Sequence, residues 1–241
     1  MAPSDIRFDD ERHRKRGTRV ARMFNRIAPT YDLLNHVLSA NIDVAWRRKT
    51  VAALGLRGTE RCLDACTGTG DLAVALLEGG AKEVVGSDFA EEMLEIARKK
   101  AGARATFRQA DTTRLPFESA SFDVATVGFG VRNIEDLDAG LRELRRVLAP
   151  GGRLAILEFS RPPNLLVRAA YDFYFRLLLP LIGNLVSGGA ENAYSYLPRS
   201  VMTFPAPAAL ADRLRAAGFD EVSYEALTFG IAHLHVARLA P

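Results

Sequence analysis

Short apolar runs alternate with longer amphipathic stretches from residue 61 to the end of the chain. The runs have the length of β-strands, and the amphipathic stretches repeat their apolar residues every three or four positions, as helices do. This alternation predicts a mostly parallel sheet with helices on both faces. The predicted strands are Arg61–Ala65, Glu83–Ser87, Ala105–Ala110, Phe122–Val127 and Arg153–Phe159, and the predicted helices are Asp71–Leu77, Ala90–Lys100, Asp136–Leu148 and Ala206–Ala217.

The two ends of the chain extend this pattern. Glu221–Thr228 and Ile231–Leu239 are predicted to close the sheet as an antiparallel pair. Residues 18–55 are predicted to form a helical cap with a polar break near residues 39–43, and residues 1–17 a flexible arm. We therefore expect one domain over residues 18–241.

Residues 164–204 interrupt the alternation with an aromatic and leucine-rich segment. Arg168, Asp172 and Arg176 are spaced to share one helix face, which leaves the other faces apolar. The uncharged run 177–190 is shorter than the roughly 20 residues that span a bilayer. We interpret the segment as a helical insertion that faces substrate or membrane, with an ordinary cover helix or a homodimer contact as alternatives.

Composition and charge narrow the setting. The chain is 48% hydrophobic and 25% charged, begins without an apolar secretory signal, and contains two cysteines, which fits the cytoplasm. These cysteines and the four histidines form no metal-ligand pattern, so no metal is expected. Residues 1–26 carry eight Lys/Arg and four Asp/Glu, a net charge of +4, against −1 for the remainder.

The basic residues are spaced along one side of a predicted helix. That arrangement suits either a peripheral contact with anionic lipid or a solvated arm, and it is too short to predict nucleic-acid binding. The five arginines on this side are Arg12, Arg16, Arg19, Arg22 and Arg26.

The strongest local signal is the segment LDACTGTGDLAVAL, residues 63–76, which runs from strand through glycine loop to helix. Gly68 and Gly70 permit a tight turn and close approach of a ligand to free backbone amides. Asp88 follows Gly68 by twenty residues, at the end of the second strand, where a carboxylate can bind ribose hydroxyls. Taken alone, the loop also fits the dinucleotide pattern G-x-G-x-x-A.

Charge separates the two cofactor classes. Asp64 and Asp71 flank the loop and would repel a pyrophosphate, whereas S-adenosylmethionine carries an ammonium and a sulfonium. We assign Asp64 to the ammonium, Thr69 and the two loop glycines to the methionine moiety, and Asp88 to the ribose. Asp111 and Thr112 follow the third strand and could meet the adenine amino group, with a simple turn as the alternative.

The chain from about Val20 onward resembles the demethylmenaquinone and ubiquinone-precursor C-methyltransferases. Asp43, Leu34 and Ala149 depart from the family's usual residues, and Gly128 resembles menaquinone-type members, since ubiquinone-type members often have serine there. The matching segments are YDLLNHVLSANIDVAW (31–46), GFGVRN (128–133), RVLAPGGRLAILEFS (146–160), YDFYF (171–175), LPLIG (179–183), YSYLP (194–198), FP (204–205) and GIAHLH (230–235).

The resemblance implies a Rossmann-like class I methyltransferase with seven strands, the last antiparallel. It further implies that Thr69, Asp88, Asp111 and Thr112 bind the cofactor. Tyr31, Arg132 and Asn133 would face a polyprenyl quinol. From spacing alone, Tyr31 could instead be a packing residue, Arg132 a partner of Glu135 or Asp136, and Asn133 a helix cap.

The implied reaction is methylation of demethylmenaquinol. Alternatives are the equivalent ubiquinone-precursor benzoquinol, another phenol or lipid, an NAD-dependent oxidoreductase, or a non-catalytic lipid-binding subunit. We expect a cytoplasmic protein that visits the inner face of the membrane.

Overall fold

A computed structural model describes residues 22–28, 31–32, 39, 41–174 and 193–241 of the chain. Within these ranges the strands pair into a single sheet. They are β1 Arg61–Ala65, β2 Glu83–Asp88, β3 Thr106–Gln109, β4 Phe122–Gly128, β5 Leu148–Phe159, β6 Glu221–Leu227 and β7 Ala232–Arg238.

The helices occupy the positions between these strands and before the first. Residues 22–28 are also helical, and Val131–Asn133 form a single 3₁₀ turn. The helices are α1 Ile42–Leu54, α2 Asp71–Glu78, α3 Glu91–Ala101, α4 Leu137–Val147, α5 Leu165–Phe173, α6 Ala193–Thr203 and α7 Pro207–Ala216.

The spatial order of the strands is β3-β2-β1-β4-β5-β7-β6. The chain moves outward from β1 to β3, then returns to place β4 on the other side of β1. This reversal opens a crevice at the carboxyl ends of β1 and β4, which is where open α/β sheets bind ligands.

Both faces of the sheet are buried under helices. Neighbouring residues of β5 point to opposite faces, and Leu154 and Ala155 accordingly belong to different apolar clusters. One cluster packs against α4 and α7, and the other against α1 and α2. Burial on both faces explains why the central strands are apolar runs rather than alternating patterns.

The predicted fold class is confirmed. The last strand, β7, is antiparallel to both of its neighbours, β5 and β6, while β1 to β5 pair in parallel.

The start of β5 was predicted wrongly. Ala149–Gly152 has the composition of a helix terminator, and the fifth strand was expected to begin at Arg153. The chain instead enters β5 at Leu148, directly after α4, and Leu148 pairs with Phe122. The register shifts between Phe122 and Val124, so an irregular ladder accommodates the Pro-Gly-Gly sequence.

Only part of the two helical additions is described. Within the predicted break near residues 39–43, Asn41 takes a left-handed conformation (φ 61°) immediately before α1 begins at Ile42. The predicted arm, residues 1–17, and the uncharged run 177–190 lie outside the described residues. Among the helices that are described, none has both the length and the apolar character needed to cross a membrane.

Candidate functional site

The loop between β1 and α2 forms a tight backbone cradle at the switch point. Its backbone takes positive φ at Cys66 (53°), Gly68 (54°) and Gly70 (84°). A Cβ at Gly70 would lie 2.9 Å from the Cβ of Ala97, so the glycine lets α3 pack closely. A Cβ at Gly68 would meet nothing within 4 Å, because this residue borders the cavity.

Asp64 is a buried acid beneath the cradle. Its carboxylate accepts hydrogen bonds from the hydroxyls of Thr67 (2.6 Å) and Thr126 (2.7 Å). Burial raises the pKa of Asp64 to about 6, and the two hydroxyl hydrogen bonds oppose that rise. Since most of this carboxyl is ionised at neutral pH, it favours a cation in the adjoining space.

Asp88, at the end of β2, holds the cradle from the other side. One carboxylate oxygen accepts a hydrogen bond from the backbone amide of Gly68 (2.8 Å), and the other accepts from Ala90 (2.9 Å). Burial raises the pKa of Asp88, while these backbone hydrogen bonds lower it. The side chain borders the cavity, so its oxygens can also accept from ribose hydroxyls.

A network of charges closes the outer edge of the cradle. The Thr69 hydroxyl donates to Asp32 (2.5 Å), and the Lys100 ammonium donates to Asp32 (2.8 Å) and to Asp71. Arg47 pairs with the second oxygen of Asp71 (3.1 Å).

This network changes two of the expectations drawn from sequence. Asp71 is paired with Arg47 and Lys100. Because these two cations also pair with Asp43 and Asp32, the predicted repulsion of a pyrophosphate by Asp71 is weakened rather than removed. The preference for a cationic cofactor therefore depends mainly on Asp64 and Asp88. The Thr69 hydroxyl donates to Asp32 and accepts from the Lys100 ammonium (3.4 Å), so the backbone amide of Thr69 and one hydroxyl lone pair remain for contact with a ligand.

The loop after β3 brings Asp111 and Thr112 to the same crevice. Asp111 is exposed, and one of its oxygens accepts from both the amide and the hydroxyl of Thr113 (2.8 Å each). Asp111 therefore does stabilise the turn, and its second carboxylate oxygen remains available to a ligand. Thr112 is buried, with its hydroxyl 3.4 Å from the Cys66 thiol.

These residues surround one cavity of about 680 Å³. That volume lies within the range of sites for small ligands and cofactors. Its acidic part lies over the cradle, and an apolar part is formed by Phe24, Met93 and Phe129. Eight of the ten predicted site residues line it, namely Tyr31, Asp64, Gly68, Thr69, Asp88, Asp111, Thr112 and Asn133.

Tyr31 joins the described N-terminal residues to this cavity. Its ring packs edge-on against Phe24, with the ring centroids 6.0 Å apart, and both rings line the apolar part. The packing alternative therefore holds, and Tyr31 also borders the cavity.

Arg132 does not line the cavity. Its guanidinium donates to a carboxylate oxygen of Glu158 (2.7 Å) and to the backbone carbonyl of Phe129, and its Nε lies 3.3 Å from the Ser200 hydroxyl. Both members of the ion pair are buried, with side chains 5% and 2% exposed. Among the described residues, the ion-pair partner of Arg132 is Glu158 rather than Glu135 or Asp136, the partners considered from spacing.

Asn133, the next residue, does face the cavity. Its side-chain oxygen accepts a hydrogen bond from the Tyr196 hydroxyl of α6 (3.0 Å). The helix-cap alternative for Asn133 is wrong, because Asp136 caps α4 by accepting from the amide of Ala139 (2.9 Å).

Sequence reasoning missed the residues that hold the site residues in place. Asp32 and Lys100 are 68 positions apart, and Arg132 and Glu158 are 26 apart, so no local pattern joins them. Arg47 alone carried a local signal, because Asp43 precedes it by four residues on α1 and pairs with it (2.5 Å).

Comparisons with known proteins found similar sequences and a similar fold. The model of the ubiE/COQ5 methyltransferase family matches residues 12–238. A demethylmenaquinone methyltransferase of Deinococcus radiodurans is 50% identical over 225 residues, which cover 92% of each chain. The ubiquinone/menaquinone biosynthesis C-methyltransferase UbiE of Geobacter sp. strain M21 is 43% identical, over 92% of this chain and 97% of that protein.

A solved structure shares the fold. The SAM-dependent methyltransferase of Thermotoga maritima, described as a possible histamine N-methyltransferase, superposes with a TM-score of 0.67. It is 21% identical and covers 90% of this chain and 98% of that one.

Proposed function

The chain belongs to the ubiE/COQ5 methyltransferase family, and we propose that it methylates a ring carbon of a polyprenylated quinol, with demethylmenaquinol as its substrate. Membership makes it a methyltransferase that depends on S-adenosylmethionine. The observation that carries the substrate proposal is a cavity in which an acidic cradle adjoins an aromatic and apolar chamber.

The cradle suits S-adenosylmethionine. Asp64 would face the ammonium group, the amides of the glycine loop would receive the carboxylate, and Asp88 would hold the ribose hydroxyls. Thr112 and the free oxygen of Asp111 would meet the adenine. S-adenosylmethionine supplies a methyl group that its sulfonium has already activated, so the protein mainly aligns the acceptor.

The apolar chamber suits a quinol ring. Tyr31, Phe24 and Phe129 offer aromatic faces, and Asn133 is a polar side chain of the same lining that can meet a ring hydroxyl. A carbon next to a hydroxyl becomes more nucleophilic as that hydroxyl loses its proton, so the reduced quinol is the acceptor. An oxidised ring is too electron-poor to attack a methyl group.

Arg132 keeps its predicted catalytic role as a proposal. Its charge is paired with Glu158 and lies behind the cavity wall. Any effect on the ring oxygen would act through the turn that carries Asn133, or through water that Arg132 organises. Retained activity after Arg132→Ala would count against both routes.

The alternative acceptor is the benzoquinol precursor of ubiquinone, alone or together with the naphthoquinol. The name of the Geobacter relative includes both pathways. Gly128 favours the naphthoquinol. A Cβ at this position would lie 3.0 Å from Leu72 Cδ2 and narrow the cavity, whereas glycine leaves room for an acceptor with two fused rings.

The polyprenyl tail accounts for the setting that we propose. The tail confines the quinol acceptor to a membrane. The enzyme would therefore work in the cytoplasm and contact the inner face of the bilayer. The described part of α5 presents Leu165, Leu166 and Phe173 to solvent, with exposed fractions of 74%, 82% and 57%. A homodimer that buries the same face is a second expectation.

Labelled methyl transfer tests the proposal. The protein would be given methyl-labelled S-adenosylmethionine with demethylmenaquinol or the benzoquinol precursor under reducing conditions. We expect label on the naphthoquinol, with the ratio of rates deciding between the two rings. The matched control is Asp88→Asn, which keeps the side-chain size and is expected to lower transfer to both.

Two negative outcomes have different meanings. Label on neither ring, with the cofactor bound, would reject the quinol and leave another phenol or lipid as the acceptor. Failure to bind S-adenosylmethionine would support a non-catalytic subunit.

A further inference from the structure

Helix α6 contacts two adjacent residues of the 3₁₀ turn, of which Asn133 lines the cavity and Arg132 lies behind it. Tyr196 hydrogen-bonds to Asn133 (3.0 Å), and Ser200, one helical turn later, lies 3.3 Å from the Nε of Arg132. The Ser200 hydroxyl itself donates to the carbonyl of Leu197 (3.0 Å), so it serves Arg132 as an acceptor. The same helix face therefore positions both predicted catalytic residues.

The contact with Tyr196 fixes which end of the Asn133 amide meets the cavity. A phenol hydroxyl that donates to the amide oxygen leaves the –NH₂ group on the other side. Within the described part of the chain, no hydrogen bond engages that –NH₂ group, and the residue lines the cavity. Asn133 consequently presents a donor to whatever ring oxygen lies beside it.

We propose that Tyr196 is a positioning residue for methyl transfer, which holds the Asn133 amide so that its –NH₂ group donates to the acceptor's ring oxygen. The inference deepens the proposed function and rests on it. A fixed donor stabilises negative charge on that oxygen, so the site would favour a deprotonated phenol beside the carbon that attacks. Without Tyr196, the amide could rotate and offer its oxygen instead, which would oppose that charge.

The first variant is Tyr196→Phe, which removes the hydroxyl and keeps the ring. We expect kcat for the quinol to fall about tenfold, the worth of one oriented hydrogen bond, with the KM for S-adenosylmethionine within about twofold of wild type. Tyr224→Phe is the matched control. The Tyr224 ring stacks on His235 at a distance from the cavity, and its hydroxyl has no hydrogen bond among the described residues.

A second background separates positioning from general support of the fold. In Asn133→Ala there is no amide left to orient, so adding Tyr196→Phe should lower kcat less than twofold further. An equal loss in both backgrounds would overturn the inference, as would an unchanged kcat in the single variant. Thermal unfolding of each variant shows whether the comparison is made between folded proteins.

Binding distinguishes failure of this inference from failure of the proposed function. If wild type methylates neither quinol, the proposed function falls. The affinity of short-tailed naphthoquinol for protein loaded with S-adenosylhomocysteine then tests Tyr196 directly. Binding that is severalfold weaker in Tyr196→Phe, but not further reduced in the Asn133→Ala background, supports the inference, and equal or absent binding overturns it.

Discussion

Asp64 is a buried acid whose charge changes near neutral pH. Burial lifts its pKa from an ordinary 3.8 to about 6, so the unfolded chain ionises first as pH rises. The stability associated with this carboxyl is therefore full below about pH 4 and is lost as pH rises through about 6. Cofactor binding has the opposite dependence, because an ammonium group prefers the ionised form.

We accordingly expect S-adenosylmethionine to bind about tenfold more weakly at pH 5 than at pH 7. Titration calorimetry across this range measures the change. Asp64→Asn keeps the size of the side chain and should remove the step near pH 6 while binding weakly throughout. A step of the same height in that variant would show that another group, such as Asp88, controls the affinity.

Gly130 tests how tightly the two loops of the site fit together. A Cβ at this position would lie 2.4 Å from the Cβ of Cys66, which is shorter than the contact distances that Cβ atoms show in proteins. We expect Gly130→Ala to destabilise the protein by about 1–3 kcal/mol, as other overpacked cores do. Denaturant unfolding gives the value.

A compensating substitution provides the control. Cys66 has a positive φ (53°), which glycine adopts without strain, so Cys66→Gly removes the clashing atom at little cost. The double variant should recover most of the lost stability. If it unfolds as easily as Gly130→Ala alone, the clash is not the cause.

Individual residues also show how far local sequence can reach. Asp64, Gly68 and Asp88 were predicted because strand, loop and acid follow one another along the chain in a fixed order. Arg132 was predicted to face the substrate, and nothing near it in sequence signals the ion pair with Glu158 on β5. Buried polar pairs between separate elements are fixed by packing, which a local pattern does not contain.

At the scale of elements, the described N-terminal residues form one wall of the cofactor cavity. Phe24 and Tyr31 line it, and Asp32 is tied to the cradle by Lys100 and Thr69. The Lys100 and Asp32 side chains are about a quarter exposed, with fractions of 27% and 29%. This pair is therefore partly screened, and it is worth about 1 kcal/mol.

Lys100→Ala should loosen that wall. We expect S-adenosylmethionine to dissociate about three- to tenfold faster, which stopped-flow displacement can follow. Lys99→Ala is the matched control, since Lys99 is the exposed neighbour on α3 and should leave the rate unchanged. Equal rates in both variants would mean that the wall is held by its apolar contacts alone.

Most elements were predicted within one or two residues because their apolar period is strong. The start of β5 was not, since Pro-Gly-Gly is typical of a break in structure. In this fold an irregular ladder with β4 carries the chain through that sequence. The first residue of β5, Leu148, pairs with Phe122, which lies 26 positions earlier in the chain. The propensities of neighbouring residues cannot predict a pairing over that separation.

At the scale of the whole molecule, charge and exposed apolar surface are unevenly placed. Residues 1–26 carry a net charge of +4, and the described α5 exposes Leu165, Leu166 and Phe173. A basic segment is drawn to anionic lipid within about a Debye length, whereas apolar side chains enter the interface at any salt concentration. The two features therefore predict two separable contributions to membrane binding.

Vesicle co-sedimentation can separate these contributions. We expect the full chain to bind vesicles rich in phosphatidylglycerol several-fold better than neutral vesicles, and to lose this advantage between about 0.05 and 0.5 M salt. Deleting residues 1–17 should weaken binding mainly at low salt. Leu165→Ser with Leu166→Ser should weaken it at all salt concentrations, with Ala208→Ser and Ala209→Ser on the exposed face of α7 as the uncharged control. If the full chain sediments with neither kind of vesicle, the membrane setting is rejected. If the protein is instead a dimer that dissociates in the double serine variant, the exposed face of α5 contacts a second copy of the chain.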